Sequence, residues 1–359
     1  MLKFITRALR PNKFADVVGQ NISVKLIHKG LLKNLLGPVV LLYGPAGTGK
    51  TTLARLIALW YACELNQDEP CGKCNECISI INNSHTDVLE LDGASNTSVE
   101  AIRSLLEGVI YKPATARKKV YIIDEVHMLS KSAISALLKT LEEPADHVQF
   151  VLATTEVAKL PQTLTSRSFK VGLEMVKKDV LLNYLNQILS MQGWTASNEA
   201  LNIIIDISGG SVRQALSILE QVSILNDGDI DTVSVQNMLN IAADADVRAL
   251  YKALITKSVK DIYEICENNE NVSAVLLVKQ LMTYIRQLTI EKSIEKGALL
   301  GTYLSQASVT LHQSPYPNQL LPALLSYAAF LINQNNNDNE NQEISLKNDA
   351  QSMFSCNNK

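Results

Sequence analysis

The chain has 359 residues, 47% hydrophobic and 19% charged, with a formal net charge of −3. It is too long for one ordinary domain of ~150 residues and apolar enough for packed cores. A charge this close to neutral excludes a surface that attracts nucleic acid in bulk, so any such contact needs a local patch.

MLKFITRALRPNKF opens the chain with mixed charge and lacks the apolar core of a secretory signal. Short runs at VVLLY (39–43), DVLEL (87–91), KVYIID (119–124), FVLATT (150–155) and FKV (169–171) predict the strands of a parallel sheet, and most are continuously apolar, as suits burial on both faces. Between them, SAISALLKTLEE (132–143) has helical spacing and stops at Pro144. Strand signals then vanish. DVLLNYLNQILSMQG (179–193), SNEALNIIIDISG (197–209) and SVRQALSILEQVSIL (211–225) predict three amphipathic helices separated by Gly or polar breaks. A further all-helical region runs to about residue 332, and its most apolar run, LLPALLSYAAFLI (320–332), is interrupted by Pro322. That run falls short of the ~20 residues of a membrane span and predicts a buried helix. The Asn-rich end, from about 334 to 359, is too polar to fold alone. The expected domains are an α/β nucleotide-binding domain (1–176), a helical lid (177–241), a helical oligomerisation collar (242–333) and a disordered tail (334–359). A soluble, cytoplasmic chain without a membrane partner is expected, with its thiols reduced.

GPAGTGKT (44–51) follows the first strand and opens the helical pattern TTLARLIALWY. This is the context of a Walker A loop. Gly44, Pro45, Ala46, Gly47, Thr48 and Gly49 wrap a phosphate with backbone N–H groups. Lys50 neutralises the β and γ oxygens, Thr51 offers a hydroxyl to Mg²⁺, and Thr52 continues the helix. Asp124 and Glu125 end the third strand, where ligands of open α/β sheets bind. Asp124 suits the Mg²⁺, and Glu125 suits the water that attacks the γ-phosphate of ATP. Thr154 and Thr155 end the next strand and could place a hydroxyl near that water, with Thr155 the candidate site residue. Arg213, at the start of a lid helix, could close onto the nucleotide.

Four of the six cysteines, Cys63, Cys71, Cys74 and Cys77, fall within CELNQDEPCGKCNEC (63–77). In a reducing compartment such a cluster points to metal. Four thiolates suit tetrahedral zinc. An iron–sulfur cluster is the rival, although the Cys-Pro those runs expect is missing after Cys77.

Taken together, RPNKFADVVGQ (10–20), the phosphate loop, Cys63 to Cys77, LDGASNTSVEAIR (91–103), YIIDEVHMLS (121–130), LLKTLEEP (137–144), VLATTEVAKLP (151–161), TSRS (165–168) and GGSVRQALS (209–217) resemble the AAA+ ATPases. They are most similar to the gamma/tau family of bacterial DNA polymerase III clamp-loader subunits. The match spans roughly residues 1–240. It implies an ATP-hydrolysing subunit that loads the sliding clamp onto primed DNA, with ATP, Mg²⁺ and Zn²⁺ as cofactors. It also implies a structural zinc in an insertion at about 61–85. Arg167 would reach a neighbouring subunit's ATP, with Ser168 standing where the family has cysteine. Gln214 follows Arg213 where an acid is usual. Arg10, Val17 and Val18 would line the adenine end. The implied partners are other loader subunits, copies of the chain, the clamp and primed DNA, with any contact to the polymerase core indirect. The family carries the polymerase label, but no paired acids for nucleotidyl transfer stand out here, and the domain content resembles the short gamma form.

The rivals are a non-hydrolysing scaffold subunit, a branch-migration helicase and a DNA-binding zinc module. An intact phosphate loop argues against the first and the cysteine insertion against the second. The acidic ELNQDEP between Cys63 and Cys71 argues against the third.

Overall fold

The computed structural model describes residues 5–65, 68–95, 97–292 and 295–330. The described residues form two compact units, which divide after residue 232. In the first, five strands form one all-parallel sheet: β1 (Val39–Tyr43), β2 (Val88–Asp92), β3 (Lys119–Asp124), β4 (Val148–Thr154) and β5 (Phe169–Gly172), in the order β2-β3-β4-β1-β5.

The unbroken apolar runs have a plain physical reason. Successive side chains of a strand point to opposite faces, and both faces of β1, β3 and β4 are covered, whereas the edge strands β2 and β5 stay partly exposed, against the expectation of burial on both faces. Val40, Leu42, Ile122, Val151, Ala153 and Val171 pack on one side with Leu53, Leu56 and Ile57 of the helix Lys50–Ala62. Val39, Leu41, Tyr121, Ile123, Phe150 and Leu152 pack on the other with Ile102, Leu137 and Leu141. The register sets Val39 opposite Phe150 and Val40 opposite Phe169, so β1 lies between β4 and β5. The C-terminal ends of β1 and β3 therefore flank that of β4, which places the phosphate loop beside Asp124 and the end of β4.

Beyond β5, helices span Lys178–Gln192, Asn198–Ser208 and Val212–Leu225. Their breaks are capped. The Ser197 and Ser211 side chains accept N–H bonds from Ala200 and Gln214, and Gly193 and Gly209 close the preceding helices in left-handed conformation. One expectation fails here, because strand does not vanish after β5. Thr195–Ala196 and Asp229–Ile230 pair as a two-residue parallel ladder that ties the ends of these helices together. Two residues are too few to show a period in sequence.

The second unit contains helices Asp244–Thr256, Val259–Asn268, Ala274–Lys292 and Glu295–Gln313, and a further helix over 317–330. Leu250, Leu254, Ile262, Leu277, Leu281, Leu304 and Leu325 form its own core. The helix expected over 320–332 buries Leu321, Leu325, Ala328 and Ala329 but exposes Tyr327 and Phe330. It is amphipathic, and its last two expected residues lie outside the described ones. So does the Asn-rich tail. Among the described residues no helix is long and apolar enough to cross a membrane.

Candidate active site

The cleft is assembled from five stretches distant in sequence. Arg10, Val17 and Val18 come from the N-terminal segment, and Ala46 to Thr52 from the phosphate loop. Asp124 and Glu125 come from the end of β3, and Tyr184, Val212, Arg213 and Leu216 from the helices that follow β5. Thr6, Leu9 and Pro11 complete the lining. Lys50, Asp124, Glu125 and Arg213 lie close enough to act on one another's charge.

At the loop itself, Gly44 has φ 147° and Gly47 has φ 76°, regions that disfavour a side chain. A Cβ on Gly44 would lie 2.2 Å from the Leu173 carbonyl oxygen, and one on Gly47 would lie 2.0 Å from Ser211 Oγ. The loop is thus backed directly against the N-cap of the helix carrying Arg213. The next helix starts at Lys50, so its N-terminal N–H groups face the loop. Lys50 Nζ donates to the carbonyls of Gly44 and Pro45 at 2.9 and 3.0 Å, and Thr48 Oγ1 donates to Pro45 at 2.9 Å. Burial pushes the Lys50 ammonium below its ordinary range. Glu125 and Asp124 oppose that shift, and Arg213 adds to it. A phosphate entering here meets a desolvated cation.

Thr51 Oγ1 donates to Asp124 Oδ2 at 2.5 Å, and Asp124 Oδ1 accepts the Glu125 N–H at 2.9 Å. Hydroxyl and carboxylate therefore sit together, a hard oxygen pair that fits Mg²⁺. Glu125 has a left-handed backbone, φ 46° and ψ 47°, uncommon for a residue with a side chain and concentrated at functional sites. Its Oε2 accepts from both the N–H and the hydroxyl of Thr155, each at 3.1 Å. The two threonines thus part company. Thr155 turns to Glu125, whereas Thr154 is fully buried, with its Oγ1 3.0 Å from His127 Nδ1 and accepting the Glu156 N–H.

The four cysteines converge. Their sulfurs all lie within 4.8 Å of one another, and Cys71 and Cys77 are 3.9 Å apart. A zinc tetrathiolate with bonds of about 2.3 Å has edges of about 3.8 Å, so the set fits. N–H groups of Lys73 and Cys74 donate to Cys71 Sγ, that of Cys77 to Cys74 Sγ, and that of Cys71 to Cys63 Sγ. The first two bonds are the main reason the Cys71 thiol drops to about 6, where it is largely thiolate at neutral pH. No disulfide links the four.

Residues 19–177 match a family profile described as DNA polymerase III, delta subunit. The gamma subunit of Buchnera aphidicola from Schizaphis graminum is 37% identical over 82% of this chain and 82% of its own length. The chain belongs to the DNA polymerase III gamma/tau family. The tau subunits of Bacillus subtilis and Escherichia coli are 37% and 40% identical over 80% and 70% of this chain, which spans 52% and 39% of their lengths. Among solved structures, the RuvB Holliday junction branch migration motor of Thermotoga maritima is similar at 22% identity. It covers 68% of this chain and 79% of its own with a TM-score of 0.48, too slight a likeness to bear on function.

Within this gamma/tau chain the cleft gathers Arg10, Val17, Val18, Lys50, Thr51, Thr52, Asp124, Glu125 and Arg213, with Thr155 reached through Glu125. Arg167 stands elsewhere. It follows the short helix Gln162–Ser166, is exposed, donates to the Thr163 carbonyl at 3.1 Å and meets Glu142 at 3.4 Å. Tyr184 and Leu216 are among the lining residues that sequence reasoning missed, with Thr6, Leu9, Pro11 and Val212. Tyr184 and Leu216 are ordinary helix residues, and nothing in their local pattern marks the cleft they border.

Proposed function

We propose that this gamma/tau chain is an ATP-hydrolysing subunit of a clamp loader, acting on a sliding clamp and primed DNA with other loader subunits and copies of itself. The observation that carries the reading is one cleft lined by Lys50, Thr51, Asp124, Glu125 and Arg213 in a chain of this family. A scaffold subunit has no use for that constellation.

The phosphate-loop N–H groups and Lys50 bind the β- and γ-phosphates, and Val17, Val18 and Arg10 lie toward the base. Thr51 and Asp124 would hold Mg²⁺, which neutralises phosphate charge when bound. Glu125 Oε1, the oxygen left unbonded by Thr155, orients the attacking water and accepts its proton. Thr155 holds the other oxygen. Arg213 approaches from the lid and stabilises charge on the γ-phosphate. The exposed Arg167 does the same for the nucleotide of a neighbouring copy. Residues 1–176, 177–241 and 242–333 serve as ATPase domain, lid and collar. Cys63, Cys71, Cys74 and Cys77 would hold zinc as a structural clip on the insertion, leaving it no catalytic task.

The test is steady-state ATPase of the chain assembled with clamp, loader subunits and primed DNA. DNA- and clamp-stimulated turnover is expected. Turnover indifferent to both would point to another AAA+ motor, and none at all to a scaffold.

A further inference from the structure

His127 belongs to no part of the mechanism above, yet its ring is wedged among the groups that carry it. The third strand ends at Asp124, Glu125 turns the chain through its left-handed conformation, and Val126–Met128 form a single 3-10 turn. The turn sends the His127 side chain back under the end of β4, where it is 5% exposed. Nδ1 lies 3.0 Å from Thr154 Oγ1 and 3.4 Å from Glu125 Oε2. Nε2 lies 3.4 Å from Glu156 Oε1, which also pairs with Lys159 at 2.9 Å.

We propose that His127 is a positioning residue that keeps Glu125 and Thr155 in register, an inference that rests on the ATPase reading. Glu125 and Thr155 sit on different chain segments, the turn after β3 and the end of β4. Their mutual bonds run through Glu125 Oε2 alone, and a carboxylate held by one oxygen can swing about that point. The Thr154–Nδ1 bond is a second tie between the same two segments, placed one residue before Thr155 and two after Glu125. It forms whichever partner donates, because a hydroxyl and a ring nitrogen can exchange that role. With two ties the segments cannot rotate past each other, and Oε1 is held toward the cleft. A near-attack geometry of this kind is sensitive to shifts of about 1 Å.

The roles of the two ring nitrogens separate by substitution. Asn at position 127 places its amide where Nδ1 lies and keeps the tie to Thr154. Gln is one carbon longer and reaches instead toward Nε2 and Glu156. His127→Leu is expected to lower kcat about tenfold or more, with ATP affinity measured by equilibrium binding held within about twofold. His127→Asn should recover most of the loss, and His127→Gln should not. Thr154→Val removes the other half of the tie at nearly the same shape, together with the acceptor of the Glu156 N–H, so it should lose at least as much. The double variant His127→Leu/Thr154→Val should fall no further than the worse single one, since both act on one bond. Recovery by Gln in place of Asn, additive losses, or kcat in His127→Leu within about twofold of wild type would each overturn the proposal. So would ATP binding lost in parallel with kcat. Wild-type protein that binds ATP and never turns it over would instead sink the ATPase reading itself.

Discussion

At Lys50 the ammonium is tied to the Gly44 and Pro45 carbonyls, so it shapes the loop as well as charging it. Lys50→Ala is expected to weaken ATP binding by about 1.5–3 kcal/mol, roughly ten- to a hundredfold in Kd, as charged hydrogen bonds are worth. Isothermal titration would show this, and unchanged affinity would remove the loop from the site. Glu125→Gln should part from it by keeping the shape and an oxygen acceptor while losing the base. It should bind ATP like wild type and turn it over slowly, read by rapid-quench hydrolysis. The glycines, Lys50 and the acid pair were legible in sequence because their chemistry fixes residue type at fixed spacing. Thr155 was named with the site, but the strand's pattern alone did not separate it from Thr154. In a strand buried on both sides the apolar pattern does not mark the faces, so alternation has no reference. His127 was overlooked for a related reason. A histidine just past a strand gives no sign of which way the following turn aims it.

Elements are fixed to one another by small polar clusters, and Asp87 is the clearest. It is 3% exposed and accepts N–H bonds from Ala114, Thr115 and Ala116 at 2.8–3.0 Å, anchoring the loop before β3 to the start of β2. Burial alone would raise its carboxyl, but the three N–H donors outweigh burial and hold it below its usual range. The sign follows. Its contribution is complete above the unfolded value near ~3.9 and is lost as pH falls through the lower folded value. Asp87→Ala should cost about 2–3 kcal/mol at pH 7, with a smaller difference in acid, measured by urea denaturation at both pH values. Thr115 also donates to Glu76 at 3.1 Å, so the same cluster reaches the cysteine insertion. Metal analysis should find about one zinc per chain, and Cys74→Ser should lower it while ATP affinity stays near wild type. Iron–sulfur absorbance in anaerobically purified protein would contradict this. The five-strand sheet was legible because buried parallel strands read as unbroken apolar runs. Their lateral order was not, since it depends on which strands meet after long crossovers.

For the whole molecule, the two units each bury a separate core. Residues 1–232 alone are expected to fold and to bind ATP with the affinity of the full chain, while losing self-association in sedimentation. Full association by that fragment would move the oligomerisation surface out of the helical second unit. Arg167 is exposed, and its pair with Glu142 is of the solvent-facing kind that contributes little. It is therefore cheap to redirect toward another copy. Arg167→Ala should leave ATP binding by the isolated chain unchanged and stop ATPase in the assembly. Mixing it with Lys50→Ala chains should place the defect in the neighbour's site.

The nucleotide cleft joins the chain's first twenty residues to a helix near residue 213. On the ribosome, at about 5–20 residues per second, the phosphate loop emerges many seconds before Arg213 and Leu216 exist to close over it. On the ATPase reading, ATP thus meets the complete cleft only on a chain whose first unit has been finished. By mass action its binding then favours that finished state by RT ln(1 + [ATP]/Kd), about 2.7 kcal/mol at a hundredfold excess over Kd. On the ATPase reading the fuel is also a folding ligand, and the finished chain is held folded more firmly where nucleotide is plentiful.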